Sequence, residues 1–436
     1  MIQRNRYLEQ LIRAKDNGLA KVVTGIRRCG KSYLLSEIYK KYLLKTGIKE
    51  SHILYLGLDE DINAFLRNPL ELGKYVRNFA SQTEENYYIF LDEIQMVYTI
   101  VNPVLTGGKI VLAKKDDLET VSFVDVVLGL SRERNIDLYV TGSNSKMLSK
   151  DILTQFRDKA TNINIGPLSF EEYFGYVGGY SFEVLQEYMQ YGGMPLAVLK
   201  DKEEKRQYLI DLFETTYFRD IIEHNCLKKS ESLDELCNII SHGSGQLLNA
   251  ERISRTYLSK KHESLDPETI NKYIGYFQDA FIIREAKRYD IRGRKEIGAA
   301  RKYYFSDTGL RNSRLNFAFE DDGQMLENVI YNELIYNGYT VNIGTFDTVE
   351  DNEFGISVRK SNEIDFYAQK GNRKYYIQVS DNIQKEETKA RELRPFMMAR
   401  DNISKVLVLN KPIDEGVDEH GFIIIGAVDF LLRFIK

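Results

Sequence analysis

The segment Lys21–Leu35 reads KVVTGIRRCGKSYLL and contains the spacing GxxxxGKS at residues 25–32. Glycines at this spacing let the backbone turn tightly and bring its N–H groups close to a chain of phosphates. Before the loop, Ala20–Thr24 is short, apolar and rich in β-branched residues, as expected of a buried strand. After it, Ser32–Leu43 carries apolar residues at helical spacing. This order of strand, loop and helix favours a phosphate-binding loop over an ordinary glycine turn.

The loop supplies most of the predicted nucleotide contacts. Lys31 would lie against the β- and γ-phosphates of the bound ligand, and the Ser32 hydroxyl would coordinate Mg²⁺. The N-terminal end of the following helix would add positive potential at the same point. The predicted nucleotide-binding residues of the loop are Gly25, Ile26, Arg27, Arg28, Cys29, Gly30, Lys31, Ser32 and Tyr33.

The second predicted part of the site is Asn86–Gln95, which reads NYYIFLDEIQ. Its continuous apolar run is typical of a parallel strand buried on both faces. Ligands bind at the carboxyl ends of such strands. We therefore expect Asp92 to face the Mg²⁺ held by Ser32, and Glu93 to orient or deprotonate the attacking water.

Composition sets the broad class of the protein. A chain of 436 residues with 43% hydrophobic and 28% charged residues is long enough for two to four globular domains. A net charge of −4 gives no overall attraction to nucleic acid, so any such surface must be local. No membrane-length apolar run or signal-type start is visible. Three cysteines without a CxxC pair and scattered histidines argue against zinc, and we expect a reduced, cytoplasmic protein.

Two further positions in the first region have candidate roles. Ile136–Thr141 reads as another buried strand and is followed by Gly142-Ser143-Asn144. Ser143 or Asn144 would contact the γ-phosphate or hold the attacking water, or the segment is simply a polar turn. Arg157 is the candidate for stabilising γ-phosphate charge in a neighbouring subunit, with Lys159 the weaker candidate and a plain surface arginine the alternative. The alternation of strands and helices up to residue 166 predicts a parallel α/β sheet.

A set of motifs along the chain resembles a prokaryotic family of AAA-type ATPases. The motifs are TGIRRCGKS, IFLDEIQ, YVTGSNS, PLSFEEYF, YGGMP and YFRDI. The first two indicate only a P-loop NTPase, whereas PLSFEEYF and GGMP at their spacing are more specific. The resemblance implies ATP with Mg²⁺, ATP hydrolysis, and three domains: a P-loop ATPase domain (1–200), a helical winged-helix domain (201–315) and a restriction-endonuclease-like domain (316–436). Relatives carry Gly-Arg shortly before PLSF, where this chain has Asp158-Lys159.

The predicted winged-helix region ends in a basic hairpin. Between Arg284 and Lys302, eight Lys or Arg residues stand against three acids. Arg292, Arg294 and Lys295 would form its tip, where cations suit contacts with DNA phosphates. The alternative is a winged helix used for protein packing, with a solvated basic loop.

The last region contains a pattern that resembles the restriction-endonuclease core. Glu327, Asp365, Gln378 and Ser380 occupy its positions, but Gln378 stands where the family has Glu, and Ser380 where it has Lys. Gln offers a metal no negative charge, and Ser cannot offset charge building on the phosphate. We therefore expect a degenerate site that binds or packs rather than cleaves.

Three functions follow from these residues. The first is an ATPase that couples nucleotide state to double-stranded DNA or a protein partner, with oligomerisation an open possibility. The second is a slow-turnover nucleotide switch or scaffold that binds a protein. The third, an ATP-dependent DNA nuclease, is disfavoured by Gln378 and Ser380.

Overall fold

The computed structural model describes residues 2–114, 116–142, 159–225, 227, 231–261, 265–318, 321–351, 357–381, 386–399 and 401–436. The chain divides into two compact units. One, the N-terminal unit, comprises Gln3–Gly166 with Asp279–Phe281. The other, the C-terminal unit, comprises most of the remainder, Pro167–Gln278 and Ile282–Lys436. In the part of the chain described, no helix is both long and apolar enough to cross a bilayer.

The N-terminal unit is built on a sheet of parallel strands flanked by helices. Its main strands are β1 (Ala20–Gly25), β2 (Ile53–Gly57), β3 (Tyr87–Asp92), β6 (Ile136–Gly142) and β7 (Ala160–Ile165), and the short strands β4 (Ile100–Val101) and β5 (Thr120–Val121) form a separate antiparallel pair. Its helices are α1 (Asn5–Ala14), α2 (Lys31–Tyr33, a π-helical stretch Leu34–Tyr39, and Lys40–Lys45), α3 (Pro69–Ala80) and α4 (Phe123–Leu130). Short 3₁₀-helical segments span Glu50–His52, Asp61–Arg67 and Ile94–Met96.

The order of the main strands, β2-β3-β6-β1-β7, determines which residues meet at the edge of the sheet. β6 lies between β3 and β1, and every pairing among these strands is parallel. β1, β3 and β6 are buried along their whole length, which explains their continuous apolar sequences. The carboxyl ends of β1, β3 and β6 therefore lie side by side, and the predicted α/β P-loop NTPase fold is confirmed.

The C-terminal unit begins with helices. They are α5 (Phe170–Val177), α6 (Ser181–Tyr191), α7 (Pro195–Val198), α8 (Lys202–Leu212, a π-helical stretch Phe213–Phe218, and Arg219–His224), α9 (Glu231–His242), α10 (Ala250–Lys261) and α11 (Pro267–Asp279). Ser169 caps α5 with a reciprocal capping box to Glu172, as its sequence predicts. α11 begins at Pro267, where a missing N–H costs nothing.

A second sheet fills the rest of this unit. Its strands are β8 (Leu247–Leu248), β9 (Ile283–Asp290), β10 (Lys295–Phe305), β11 (Thr340–Asp351), β12 (Ser357–Lys370), β13 (Arg373–Ser380), β14 (Ser404–Leu409), β15 (Gly416–Val417) and β16 (Ile423–Gly426). The accompanying helices are α12 (Thr308–Arg314), α13 (Asp322–Tyr336), α14 (Glu386–Ala399) and α15 (Ala427–Asp429, continued by a π-helical stretch Phe430–Phe434). Within the described chain the strand order is β15-β16-β14-β13-β12-β11-β9-β10-β8.

This sheet runs across the predicted boundary at residue 315. β9 and β10 form the basic hairpin, and β9 pairs in parallel with β11 at Ile343–Thr345. Side chains of α13 and α6 pack on one face of the sheet, and side chains of α14 pack on the other. The hairpin and the last third of the chain therefore share one sheet, and the two compact units meet in sequence between Gly166 and Pro167.

Candidate functional site

The glycine loop between β1 and α2 has the backbone geometry that its sequence predicts. Gly25 has φ +147°, and a Cβ built there would lie 1.9 Å from the carbonyl oxygen of Ile165, so only glycine fits. Gly30 has φ +96° and Arg28 φ +61°. Three of the six residues from Gly25 to Gly30 thus have positive φ, a backbone pattern typical of loops that bind phosphate.

The side chains of the loop divide into buried and exposed sets. Ile26 and Cys29 are buried, whereas Arg27, Arg28 and Tyr33 are exposed. The Lys31 ammonium is buried and donates hydrogen bonds to the carbonyl oxygens of Gly25 and Ile26, each at 3.1 Å. These contacts hold the cation at the mouth of the loop.

The two predicted Mg²⁺ ligands come together through a residue that sequence reasoning missed. The Tyr55 hydroxyl, on β2, donates to Asp92 Oδ2 at 2.6 Å, and the Ser32 side chain lies beside it. Burial, and then the charge of Asp92, raises the pKa of Tyr55. Asp92 Oδ1 accepts a hydrogen bond from Thr141 on the intervening strand β6. Ser32 and Asp92 are hard oxygen ligands of the kind that Mg²⁺ prefers, so the residues present fit that ion.

Glu93 follows β3 in an unusual backbone conformation. Its φ of +53° is left-handed, which is uncommon for a residue with a side chain. Its N–H donates to the Thr141 hydroxyl at 3.0 Å, and its carboxylate accepts a hydrogen bond from the Gln95 amide. Thr141 thereby orients both acids at the end of β3. Strained backbone of this kind concentrates at functional sites.

Arg4, ahead of α1, is a second residue that the sequence did not single out. Its guanidinium is buried and donates to the carbonyl oxygens of Cys29, at 3.3 Å, and Gly166, at 2.7 Å. It therefore ties the glycine loop to the end of the N-terminal unit. Of the remaining predicted residues, Lys159 is exposed just before β7, while Ser143, Asn144 and Arg157 lie outside the described residues.

The family-specific motifs PLSF and GGMP meet in the C-terminal unit, where their role is packing. The Leu168 N–H donates to the Gly193 carbonyl oxygen at 2.8 Å, and the Gly193 N–H donates to Asp307 Oδ2 at 2.7 Å. A Cβ at Gly192 would lie 2.1 Å from the Asp307 carboxylate, and one at Gly193 would lie 2.3 Å from the Leu168 carbonyl oxygen. Burial raises the pKa of Asp307 to about 6, although backbone N–H groups stabilise its charge.

The predicted endonuclease-like residues surround a lysine that sequence reasoning had assigned to the basic hairpin. Lys302, on β10, is 4% exposed. Its Nζ lies 3.0 Å from Glu327 Oε1, 3.0 Å from Glu363 Oε1 and 4.0 Å from Asp365 Oδ1. We call Lys302, Glu327, Glu363 and Asp365 the Lys302 cluster.

The Lys302 ammonium offsets part of the negative charge of the three acids in the Lys302 cluster. Burial alone would lower the pKa of Lys302, but the charges of Glu327, Asp365 and Glu363 outweigh it and raise that pKa. Burial, followed by the charge of Glu327, raises the pKa of Asp365 well above its usual range. The Lys302 ammonium thus supplies the positive charge that faces these carboxylates.

Gln378 stabilises the Lys302 cluster through hydrogen bonds rather than as a metal ligand. Its Oε1 accepts the Asp365 N–H at 3.3 Å, and its amide nitrogen donates to Glu392 Oε2 at 3.2 Å. Ser380 is buried at the end of β13. Among the residues described, no three His, Cys, Asp or Glu side chains are grouped so that they could share a metal ion. The residues present therefore do not fit a nuclease metal site.

The hairpin tip is exposed, but one of its arginines is bound to the sheet. Arg292, Arg294 and Lys295 are all exposed at the turn between β9 and β10. Arg292 Nη1 donates to the Asp347 carbonyl oxygen at 2.6 Å, and its guanidinium lies 5.0 Å from the centre of the Phe346 ring. Lys302 is buried, so the hairpin presents fewer cations to solvent than its composition suggests.

Two domain families match this chain. Residues 17–174 match an AAA domain, and residues 182–321 match a domain of unknown function (DUF8612). Among solved structures, Aeropyrum pernix ORC1 in complex with DNA has a TM-score of 0.29 at 11% identity, over 72% of this chain and 92% of that one. Cdc6p from Pyrobaculum aerophilum has a TM-score of 0.29 at 11% identity, over 76% and 94%. Both likenesses are remote.

Two relatives match along nearly the whole chain. An uncharacterized protein of Methanocaldococcus jannaschii is 26% identical over 422 residues, which cover 92% of this chain and 83% of that protein. An uncharacterized protein of Haemophilus influenzae is 31% identical over 438 residues, 99% of each chain. With the AAA-domain match, the glycine loop is part of a nucleotide-binding, ATPase-type domain. The protein belongs to the same family of AAA-domain proteins as the Haemophilus influenzae relative.

Proposed function

We propose that this protein is a Mg²⁺-dependent ATPase that couples its nucleotide state to binding of double-stranded DNA or a protein partner. The observation that carries the proposal is the meeting of Ser32 and Asp92 at the Tyr55 hydroxyl, beside the glycine loop. A metal ion bound to phosphates takes oxygen ligands such as a hydroxyl and a carboxylate, so the proximity of these two groups supports the proposal.

The residues of the N-terminal unit would divide the work of hydrolysis. The loop amides and Lys31 bind the phosphates, and Ser32 and Asp92 hold Mg²⁺, which when bound would neutralise charge on the β- and γ-phosphates. Glu93 orients the attacking water and accepts its proton. Ser143 or Asn144 contacts the γ-phosphate, and Arg157, or else Lys159, acts on the nucleotide of a neighbouring subunit.

The partner-binding half of the proposal rests on the later regions. We assign 1–200 to the ATPase domain, 201–315 to a winged-helix domain and 316–436 to a restriction-endonuclease-like domain. Three helices followed by the β9–β10 hairpin support the second assignment, and the arrangement of Glu327 and Asp365 supports the third. The exposed Arg294 and Lys295 are the candidate DNA contacts at the tip, together with Arg292.

A slow-turnover switch that binds a protein is the second candidate. Lys159 favours it, because lysine is a poorer bidentate phosphate ligand than the arginine of relatives. A DNA nuclease is the weakest candidate, because the Lys302 ammonium lies among the acids that a nuclease would use for metal.

The test is steady-state ATP hydrolysis by the purified protein, with and without a 20-base-pair DNA duplex. Lys31→Ala and Glu93→Gln should each lower turnover by about 100-fold or more, since each removes a group acting on the reacting phosphate. Lys41→Ala is the matched control, because Lys41 lies on the same helix in an exposed ion pair with Glu37. Normal turnover by Lys31→Ala would refute the site, and tight ATP binding without turnover would favour the switch.

A further inference from the structure

A cavity of about 510 Å³ opens in the C-terminal unit beside the hairpin turn. Its walls come from the hairpin of β9 and β10, from the middle of β11 and from the first residues of β12. Three arginines, Arg288, Arg292 and Arg359, and two acids, Asp290 and Asp347, line it. We call it the arginine cavity.

The arginine cavity lies next to the Lys302 cluster. Ser361 lines the cavity, and Glu363, two residues further along β12, bonds Lys302. Alternate residues of a strand share a face, so Ser361 and Glu363 lie on one face of the sheet. On β9 the same alternation connects Arg288 with Ala286, the residue that pairs with Lys302.

The acids of the arginine cavity are already engaged. Asp347 Oδ2 accepts a hydrogen bond from Arg359 Nε at 2.7 Å, which makes a charged pair. Asp290 Oδ1 accepts the Arg292 N–H at 3.0 Å and so holds the turn. The arginines of the cavity that remain are Arg288 and Arg292.

Arg288 and Arg292 differ from Arg359 in their partners. Arg292 donates to neutral carbonyl oxygens, those of Asp347 at 2.6 Å and Met398 at 3.4 Å. Arg288 forms no ion pair with any described residue, and its buried Nε has no hydrogen-bond partner there. Arg288 and Arg292 therefore line the cavity without a carboxylate of their own among the described residues.

We propose that the arginine cavity binds a phosphoryl group through Arg288 and Arg292. A guanidinium presents a planar fork of N–H donors that matches phosphate oxygens, and it is more weakly hydrated than an ammonium. The volume is typical of small-molecule sites and exceeds a bare phosphate, so the phosphoryl group arrives on a nucleoside-sized body. A free phosphate ester and one unit of a nucleic-acid strand share this chemistry. If the phosphoryl group belongs to a nucleic-acid strand, this inference extends the proposed DNA binding and rests on it.

The experiment measures fluorescence anisotropy of a labelled, 5′-phosphorylated thymidine dinucleotide. All proteins carry Lys31→Ala to suppress binding at the glycine loop. Arg288→Gln should weaken binding about tenfold, and Arg288→Gln with Arg292→Gln should weaken it further. Because Arg292 also holds the turn, the single Arg288→Gln variant is decisive. Lys287→Gln is the matched control, since Lys287 is the next residue on β9, points to the opposite face and pairs with Glu296.

Each outcome decides the matter. A loss in Arg288→Gln that Lys287→Gln does not share supports the site. If a DNA duplex then displaces the dinucleotide, the source is nucleic acid, and if it does not, the source is a free ester. Equal binding by Arg288→Gln and its parent, an equal loss in Lys287→Gln, or no binding by the parent overturns the proposal. Absence of ATP turnover in wild-type protein would overturn only the proposed ATPase.

Discussion

Asp92 is buried at the end of β3 and Asp365 is largely buried within β12, yet the surroundings of the two acids are opposite. Hydroxyl groups of Tyr55 and Thr141 contact Asp92, whereas the ammonium of Lys302 faces Asp365 together with Glu327 and Glu363. Hydroxyl donors orient a carboxylate without cancelling its charge, so it can still attract an external cation. A lysine supplies the cation permanently. The same side-chain type is thus kept available for metal in one unit and neutralised in the other.

Asp307 provides a third case, with neither hydroxyl nor cation. It accepts N–H groups of Gly193 and Leu310 and joins two sequence motifs. Backbone donors offset only part of the cost of burying its charge, which is why burial raises its pKa to about 6. The three acids therefore show three kinds of surroundings for a carboxylate: hydroxyl donors, a lysine cation and backbone N–H groups.

Lys302→Met tests the neutralised site and has the largest expected effect. It should lower the free energy of unfolding by about 3–5 kcal/mol, because removing one partner strands buried carboxylates. Added Ca²⁺ should raise the melting temperature of the variant and leave wild type unchanged, since the acids then lack their cation. Lys287→Met, in an exposed pair, should cost under about 1 kcal/mol. If Lys302→Met were as stable as wild type, the Lys302 ammonium would not be stabilising the buried carboxylates.

Asp307→Asn tests the acid without a cation. The native pKa of about 6 exceeds the ordinary 3.8. Between these pH values the native state binds more protons than the unfolded chain, so rising pH removes up to about 3 kcal/mol of stability. Urea unfolding at several pH values should show wild type losing stability relative to Asp307→Asn from pH 4 to 6. A constant difference between the two proteins would contradict the buried, ionisable Asp307.

Asp92→Asn tests the acid that we assign to Mg²⁺. Turnover of ATP should fall about 100-fold or more, because loss of a charged ligand weakens metal-assisted charge stabilisation. Asp365→Asn is the paired control and should leave turnover unchanged if the Lys302 cluster takes no part in hydrolysis. Equal losses in the two variants would remove the contrast between the sites.

Tyr55→Phe tests the hydroxyl that contacts Ser32 and Asp92 and has the smallest expected effect. Loss of a residue that orients metal ligands costs about 10–100-fold in metal affinity. The Mg²⁺ concentration that half-saturates fluorescent-nucleotide binding should rise by about tenfold. Binding measured without Mg²⁺ should stay the same, which separates this role from a general disturbance. Unchanged Mg²⁺ dependence would make Tyr55 a packing residue.

The sequence predicted what is local. The glycine loop, the buried strand before Asp92 and the capping box at Ser169 each lie within one short stretch, and the structure has the strand, loop and helix where those patterns indicate. Backbone demands such as φ +147° at Gly25 can be read from residue type and spacing alone. The α/β fold class was predictable for the same reason.

Contacts between distant segments were not predictable. Tyr55 reaches Asp92 because β2 pairs with β3, and Thr141 reaches it because β6 lies between β3 and β1. Arg4 looked like one more cation in a surface helix, and Lys302 like one more in a basic hairpin. A lone buried Lys flanked by Arg301 and Tyr303-Tyr304 carries no sequence signal of its acids, since these lie on α13 and β12.

The sheet shared by the hairpin and the last third of the chain has a consequence for cutting the protein into pieces. A fragment starting at residue 316 would lose β9 and expose the edge of β11, whose N–H and C=O groups at Ile343–Thr345 would be unpaired. Such an edge recruits strands from other chains. We expect that fragment to aggregate on expression, whereas a fragment starting at Pro167 keeps the sheet whole and is the better choice for crystallisation or for isolating partners.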